Sequence, residues 1–310
     1  MKFNKPKFWD KKLGFISILL LPLTLITLLI IFLRKKLIEV KSFDIPIICV
    51  GNLYLGGTGK TPTSILIAKE LLKQRKKPVI LRKFYDSHKD EHELIKKNFT
   101  HFLLNKDRVE GVFEALKKKF DTVILDDGFQ DYKLKKKLNI LCFNENQLIG
   151  NGLVIPAGPL RENLNVIKGV DIILINGKKN IEFERKVLNI NKEVNIFYST
   201  YKPINKRQFL GKKLFAITGI GNPENFFRLL SENNLQVKKK FIYPDHYEFS
   251  KNEILDIINE AKKNNCEIIM TEKDFFKVKR FKYKYLKFLK VNLEIKDKKR
   301  LLKIISNIYD

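Results

Sequence analysis

Six residues near the N-terminal third, Gly56-Gly57-Thr58-Gly59-Lys60-Thr61, have the types and spacing that hold phosphate. Three glycines let backbone N–H groups turn inward toward an anion, and a helix starting at Lys60 would add the positive end of its dipole. Lys60 would reach the outer phosphates of a nucleotide and Thr61 would ligate Mg²⁺. The generic loop has a Gly five residues before Gly59, whereas this chain has Tyr54; the nucleotide-binding stretch is read as Tyr54, Leu55 and Gly56 to Thr61. Such a loop needs a carboxylate on a neighbouring strand to hold the metal. "VILDD" supplies Asp126 and Asp127, whose mutual repulsion favours a cation between them. The Asn/Thr-Lys-x-Asp order that reads guanine is absent from "NKDR" and "TEKD", so ATP is the expected nucleotide.

The elements that must position these residues read as an α/β chain. Apolar runs at 45–50, 78–82, 100–104, 121–127, 138–143 and 171–175 lack strict alternation, as strands buried on both faces do. Helical patterns over 60–75 and 107–119 fall between them, which predicts a mostly parallel sheet with helices on both faces, as in P-loop NTPases. The pattern pauses after a strand near 195–201 and restarts at 214–218, with helices over 225–232 and 251–264 and a strand at 267–271. The expected division is a P-loop domain over 41–205, a smaller α/β domain over 206–310, and an N-terminal anchor over 1–40.

That anchor rests on Leu13 to Leu33, twenty-one residues without a charge between Lys11-Lys12 and Arg34-Lys35-Lys36. The length suits a membrane helix, and a basic cluster follows where a signal peptide would have a cleavage site. Both flanks are basic, so spanning and entering one leaflet both stay open. The net charge of +27 points to an anionic partner, although 51 of the 61 basic residues are Lys and a solvated Lys surface explains much of it. An anionic membrane surface fits the apolar run. Nucleic acid is not expected, since basic and aromatic residues are not interleaved. Cys49, Cys142 and Cys266 have neither metal-ligand nor disulfide spacing.

"VGNLYLGGTGKTP", "LDDGFQD", "PAGPLRE", "TGIGNPENF", "DHYEF" and "TEKD" occur in this order across the chain. The set resembles the tetraacyldisaccharide 4'-kinases, the lipid A 4'-kinases of Gram-negative bacteria, whose loop also lacks Gly where Tyr54 stands. The resemblance implies transfer of the γ-phosphate of ATP to the 4'-hydroxyl of a disaccharide lipid 1-phosphate, at the cytosolic face of the inner membrane. It implies an Asp–His dyad that matches Asp90 and His246, with Asp90 as proton acceptor. Arg108, Gln130, Arg161 and Glu162 become candidates for acceptor contacts. The chain departs from the family at "LRKFYD" (81–86), which keeps Arg82 and Tyr85 but loses two glycines, and at Asp131, where the family often has His. An alternative reading is a membrane-associated P-loop ATPase that works as a switch or partitioning protein without a lipid acceptor; "PAGPLRE" and "DHYEF" count against it.

Overall fold

The structure, a computed structural model, describes residues 5–11, 13–85, 88–245 and 247–309. From the N-terminus the elements run α1 (Phe15–Leu19), α2 (Leu21–Leu37), β1 (Ile47–Gly51), α3 (Lys60–Lys73), β2 (Pro78–Lys83), α4 (Lys89–Asn98), β3 (Phe102–Asn105), α5 (Arg108–Lys117), β4 (Thr122–Asp126) and β5 (Leu138–Asn144). They continue with β6 (Ile172–Asn176), α6 (Ile181–Ile190), β7 (Asn195–Pro203), β8 (Lys213–Thr218), α7 (Pro223–Glu232), β9 (Gln236–Ile242), α8 (Lys251–Lys263), β10 (Glu267–Thr271), α9 (Glu272–Val278), β11 (Leu286–Leu289), β12 (Val291–Ile295) and α10 (Lys298–Ser306).

The chain forms two compact units. The larger holds residues 5–84, 99–200 and 294–310, and the smaller holds 85–98 and 201–293. Residues 85–98 and 294–310 thus do not follow the division at 205 expected from the sequence.

In the larger unit the sheet order is β12-β7-β6-β5-β1-β4-β2-β3. The pairs from β7 through β3 are parallel, with Val50 opposite Asp126 and Gly51 opposite Leu141. β1 is flanked by strands that come later in the chain on both sides, so the loops after β1 and β4 emerge side by side where an open parallel sheet binds its ligand. β1 and β4 are buried along their whole length. One face packs Ile47, Val79, Leu81, Val123 and Leu125 with Val109 and Val112 of α5, while α3 packs on β1, β2 and β4.

The smaller unit has its own parallel sheet, β11-β10-β8-β9, with Ile254, Ile257 and Ile258 of α8 on one side and Phe226, Phe227 and Leu230 of α7 on the other. All three cysteines are buried free thiols. Burial pushes Cys49 up to about 11 and Cys142 up to about 12.

The apolar run at the N-terminus does not form the single helix expected over Leu13 to Leu33. It breaks at Leu20 into the five residues of α1 and the seventeen of α2. Pro22 has no N–H to donate and is tolerated only in the first turn, which places the start of α2 at Leu21. At 1.5 Å per residue α2 is about 25 Å long, short of a hydrocarbon core of about 30 Å, and its last turn is Arg34, Lys35 and Lys36. Among the described residues no helix is long and apolar enough to cross a membrane. The two helices are inverted relative to a soluble amphipathic pair. Ser17 and Thr24 are buried against the protein, while Phe15, Leu19, Leu25, Leu29 and Phe32 are more than half exposed.

Gly51 marks the closest approach of β1 to the loop after β4. A Cβ built there would lie 2.4 Å from Phe129 Cβ and 3.2 Å from its backbone nitrogen. Gly51→Ala is therefore expected to lower the unfolding free energy by about 1–3 kcal/mol through overpacking. Urea unfolding checks it, and an unchanged midpoint would show that the 127–131 loop yields.

Candidate active site

In the larger unit the phosphate loop leaves β1 and is held from behind by Asn52. The Asn52 carboxamide donates to the carbonyls of Tyr54 (2.6 Å) and Gly56 (3.1 Å). An anion cradle needs its carbonyls tied elsewhere in this way, so that N–H groups face the ligand. Gly56 and Gly59 have φ of 146° and 93°, conformations that side chains resist. Gly59 caps α3 with no side-chain partner for the first helical N–H groups, which leaves them to an anion. Thr58 Oγ1 is buried without a partner, a second group that suits a phosphate oxygen. Leu55 contributes differently from the expectation, because its N–H is taken by Pro159 O at 2.9 Å. Tyr54 is fully buried and donates its hydroxyl to Asp10 at 2.6 Å. Burial, then that hydrogen bond, raises its proton affinity.

The two carboxylates after β4 have different partners. Asp126 has no exposed surface. It accepts from Thr61 Oγ1 (3.0 Å) and Ser64 Oγ (2.9 Å), hydroxyls three residues apart on one face of α3. Arg82, 3% exposed at the end of β2, is ion-paired with Asp126. Asp127 stands in the left-handed region, with φ 56°. Its Oδ1 is 2.9 Å from Arg161 Nη1 and 3.7 Å from Lys60 Nζ. Burial alone would raise the Asp127 carboxyl, but Lys60, Arg161 and Arg82 outweigh it and hold it well below the usual carboxylate range. The repulsion expected between the pair is thus answered by the chain's own cations. A metal ion is not needed to explain their proximity.

The remaining candidates hold the frame of this site. Arg108 is nearly buried; its Nη2 donates to Asp127 O (2.6 Å) and its Nη1 pairs with Asp131 (3.2 Å). Asp131, where the resemblance suggested a lost cation, thus anchors the arginine that pins the 126–131 loop. Gln130 donates to Asn52 O (3.1 Å) and accepts from Arg161 (3.2 Å), joining the two loops. Glu162 turns to the N-terminal segment. Its buried carboxylate accepts from Lys35 Nζ at 2.6 Å and from the Tyr132 hydroxyl, so it is a structural tie in this arrangement.

In the smaller unit Asp90 lies on α4, 7% exposed. Lys273 and Lys277 of α9 each approach its Oδ2 to 3.6 Å. Lys273 also pairs with Glu91 (2.9 Å) and Asp245 (3.1 Å), the residue before His246. Burial alone would lower the proton affinity of Lys273; Glu91, Asp245 and Asp90 outweigh it and raise it well above the usual lysine range. His246, expected to partner Asp90, lies outside the described residues. Asn52, Ser64, Arg82, Lys273 and Lys277 were not assigned from the sequence. The signals that could have found them are the second hydroxyl one turn after Thr61, an arginine ending an apolar strand, and the unassigned lysines in and after "TEKD".

The family model LpxK, tetraacyldisaccharide-1-P 4'-kinase, matches residues 16–310. A tetraacyldisaccharide 4'-kinase from Pelagibacter ubique is 40% identical, covering 97% of this chain and 96% of its own length. One from Rickettsia canadensis is 33% identical over 89% of each chain, and one from Francisella tularensis subsp. novicida is 31% identical over 93% of this chain and 98% of its own. Among solved structures, the "apo" form of LpxK from Aquifex aeolicus in complex with ATP matches with a TM-score of 0.73 and 26% identity, covering 95% of this chain and 99% of that one.

The Asp127 pairing has a consequence in acid. A carboxyl lowered by folding contributes stability that is full above its unfolded value of about 3.9 and is lost as the pH falls toward the folded value. Wild-type stability is expected to drop faster than that of Asp127→Asn below about pH 4, with the two converging in acid. Urea unfolding across that range checks it; parallel curves would show that Asp127 contributes nothing to the acid loss.

Proposed function

The chain belongs to the tetraacyldisaccharide-1-P 4'-kinase family, and we infer from this that it is an ATP-dependent lipid kinase acting on the 4'-hydroxyl of a tetraacyldisaccharide 1-phosphate. The observation that carries the reading at the residue level is the phosphate loop, with Thr61 and Ser64 on Asp126 and Lys60 beside Asp127. The N–H groups from Gly57 onward cradle the β- and γ-phosphates, Lys60 reaches their outer oxygens, and Arg161 is placed to follow it, since both now share one oxygen of Asp127.

Mg²⁺ fits the donor set. Thr61 Oγ1 and Asp126 Oδ2 are hard oxygens brought together by α3 and the end of β4, and they would hold the ion. When bound, the ion neutralises charge on the transferring phosphoryl group. Arg82 would keep Asp126 oriented and compensated. In the reaction the 4'-oxygen forms the new bond to phosphorus as the bond to the β–γ bridging oxygen breaks. ADP departs, and the hydroxyl proton passes to the Asp90 carboxylate. His246 shares or orients that charge, as the family resemblance implies.

The acceptor is a lipid, and α1–α2 offers the surface to meet it. Its exposed Phe15, Leu19, Leu25, Leu29 and Phe32 would lie in one leaflet, with Arg34, Lys35 and Lys36 at anionic headgroups. On this reading the protein works at the cytosolic face of the inner membrane, where ATP is available.

Two measurements test these readings. Full-length protein in detergent with labelled ATP and the tetraacyldisaccharide 1-phosphate should yield a labelled bisphosphorylated lipid, and Lys60→Ala should lower turnover at least about 100-fold. ATP hydrolysis that never labels the lipid would favour the switch-ATPase alternative. In flotation with anionic vesicles the wild type should rise with the lipid. Leu25→Lys combined with Leu29→Lys should remain below; equal flotation would rule α2 out as the contact.

A further inference from the structure

Within the smaller unit α4 packs on α9, and ion pairs gather at this contact. Four carboxylates, Asp90, Glu91, Asp245 and Asp274, share two ammonium groups, Lys273 and Lys277. Lys273 divides its charge among Asp90, Glu91 and Asp245. Lys277 divides its charge between Asp90 and Asp274, and it is the more rigidly built of the two. Its side chain is 8% exposed, and its ammonium donates to Asp274 Oδ1 (2.9 Å) and to Gly219 O (3.0 Å).

Asp274 is itself fully buried and fixed on every side. Its Oδ2 accepts from Gly219 N (3.0 Å) and Thr271 Oγ1 (2.6 Å), and its own N–H donates to Thr271 Oγ1 (3.1 Å). A lysine held this tightly has lost its side-chain freedom to stand in one place, and that place is 3.6 Å from Asp90 Oδ2. At this distance the interaction is one of charge more than of hydrogen bonding.

We propose that Lys277, held by Asp274 and seconded by Lys273, is a positioning residue that keeps the Asp90 carboxylate oriented and ionised for the phosphoryl transfer. The proposal rests on the reading of Asp90 as the proton acceptor. A base in such a site must be basic enough to draw a sugar hydroxyl proton and yet remain ionised before the substrate arrives. The two ammonium groups, each 3.6 Å from Asp90 Oδ2, attract the charged carboxylate and fix where it stands. The other titratable groups on the packed elements are Lys89, His92, Glu93, Lys96 and Lys97 on α4 and Glu272 on α9, with His88 just ahead of α4. His88 lies 3.9 Å from Glu91. His246, next to Asp245 in the chain, is outside the described residues.

The test is the pH profile of kcat/KM for lipid phosphorylation by the full-length protein in detergent. Lys277→Met should move the acid limb upward by about one pH unit or more, because a lost cation no longer favours the charged carboxylate. The KM for ATP should stay unchanged, and Lys277→Arg should bring the limb back. Lys273→Met should move it in the same direction, and it decides the matter if Lys277→Met does not fold by circular dichroism. Acid limbs of the folded variants that coincide with the wild type would overturn the proposal. Asp90→Asn separates the two levels. Loss of turnover there with unmoved limbs in the lysine variants sinks the lysine role alone, whereas wild-type turnover in Asp90→Asn removes the base and this proposal with it.

Discussion

Asp126 ends a strand that is buried on both faces, and it has no exposed surface of its own. A carboxylate in that position is tolerated only if it is paired and hydrogen-bonded, and the larger unit is arranged around meeting that demand. β2 ends in Arg82, α3 turns Thr61 and Ser64 toward the same group, and the register that sets Val50 opposite Asp126 brings the phosphate loop alongside. The next residue, Asp127, then takes up Lys60 and Arg161. Five charged side chains beside the phosphate loop thus hold one another in place. The cations among them are the groups that an incoming nucleotide would attract.

Much of the larger unit could be read from the chain because its central strands are buried on both faces. β1, β2, β4, β5 and β6 stand where unbroken apolar runs announced them, since nothing in a doubly covered strand faces water. The phosphate loop was legible for a related reason: close backbone approach allows few residues besides Gly. The elements that escaped notice bury little apolar surface. β9 reads "QVKKKFI" and lies at a sheet edge with most of its residues exposed, where lysines discourage further pairing. α4 buries Asp90, His92 and Ile95, a set without the apolar periodicity by which a helix is recognised. β11 and β12 are separated by one residue yet belong to different sheets, a change that no apolar pattern marks.

Partners were harder to read than positions. Arg108, Gln130 and Glu162 were read as candidates for acceptor contacts, but a motif does not say where a side chain's hydrogen bonds go. Arg108 pins the loop that carries Asp127, Gln130 bridges the Asn52 carbonyl and the Arg161 guanidinium, and Glu162 ties Tyr132 to α2. The arrangement of Lys277, Asp274 and Gly219 was invisible for the same reason: it joins residues 55 or more positions apart through a turn that only the folded backbone defines.

The hydroxyl of Thr24 accepts from Ala157 N and donates to Val154 O. Two residues further on, Pro159 O takes the N–H of Leu55, where the phosphate loop begins. The N-terminal helices are therefore joined to the nucleotide cradle by a few short, directional bonds and a single stretch of backbone. If those helices rest in a leaflet as proposed, this linkage works as a depth gauge. The height at which α2 settles in the lipid fixes the height of the phosphate loop above it, to within the play of a hydrogen bond. A helix that crossed the bilayer on a loose tether would leave that height undefined. For an enzyme whose acceptor hydroxyl stands at a set distance from its own acyl chains, protein and substrate would then be levelled against the same surface before they meet.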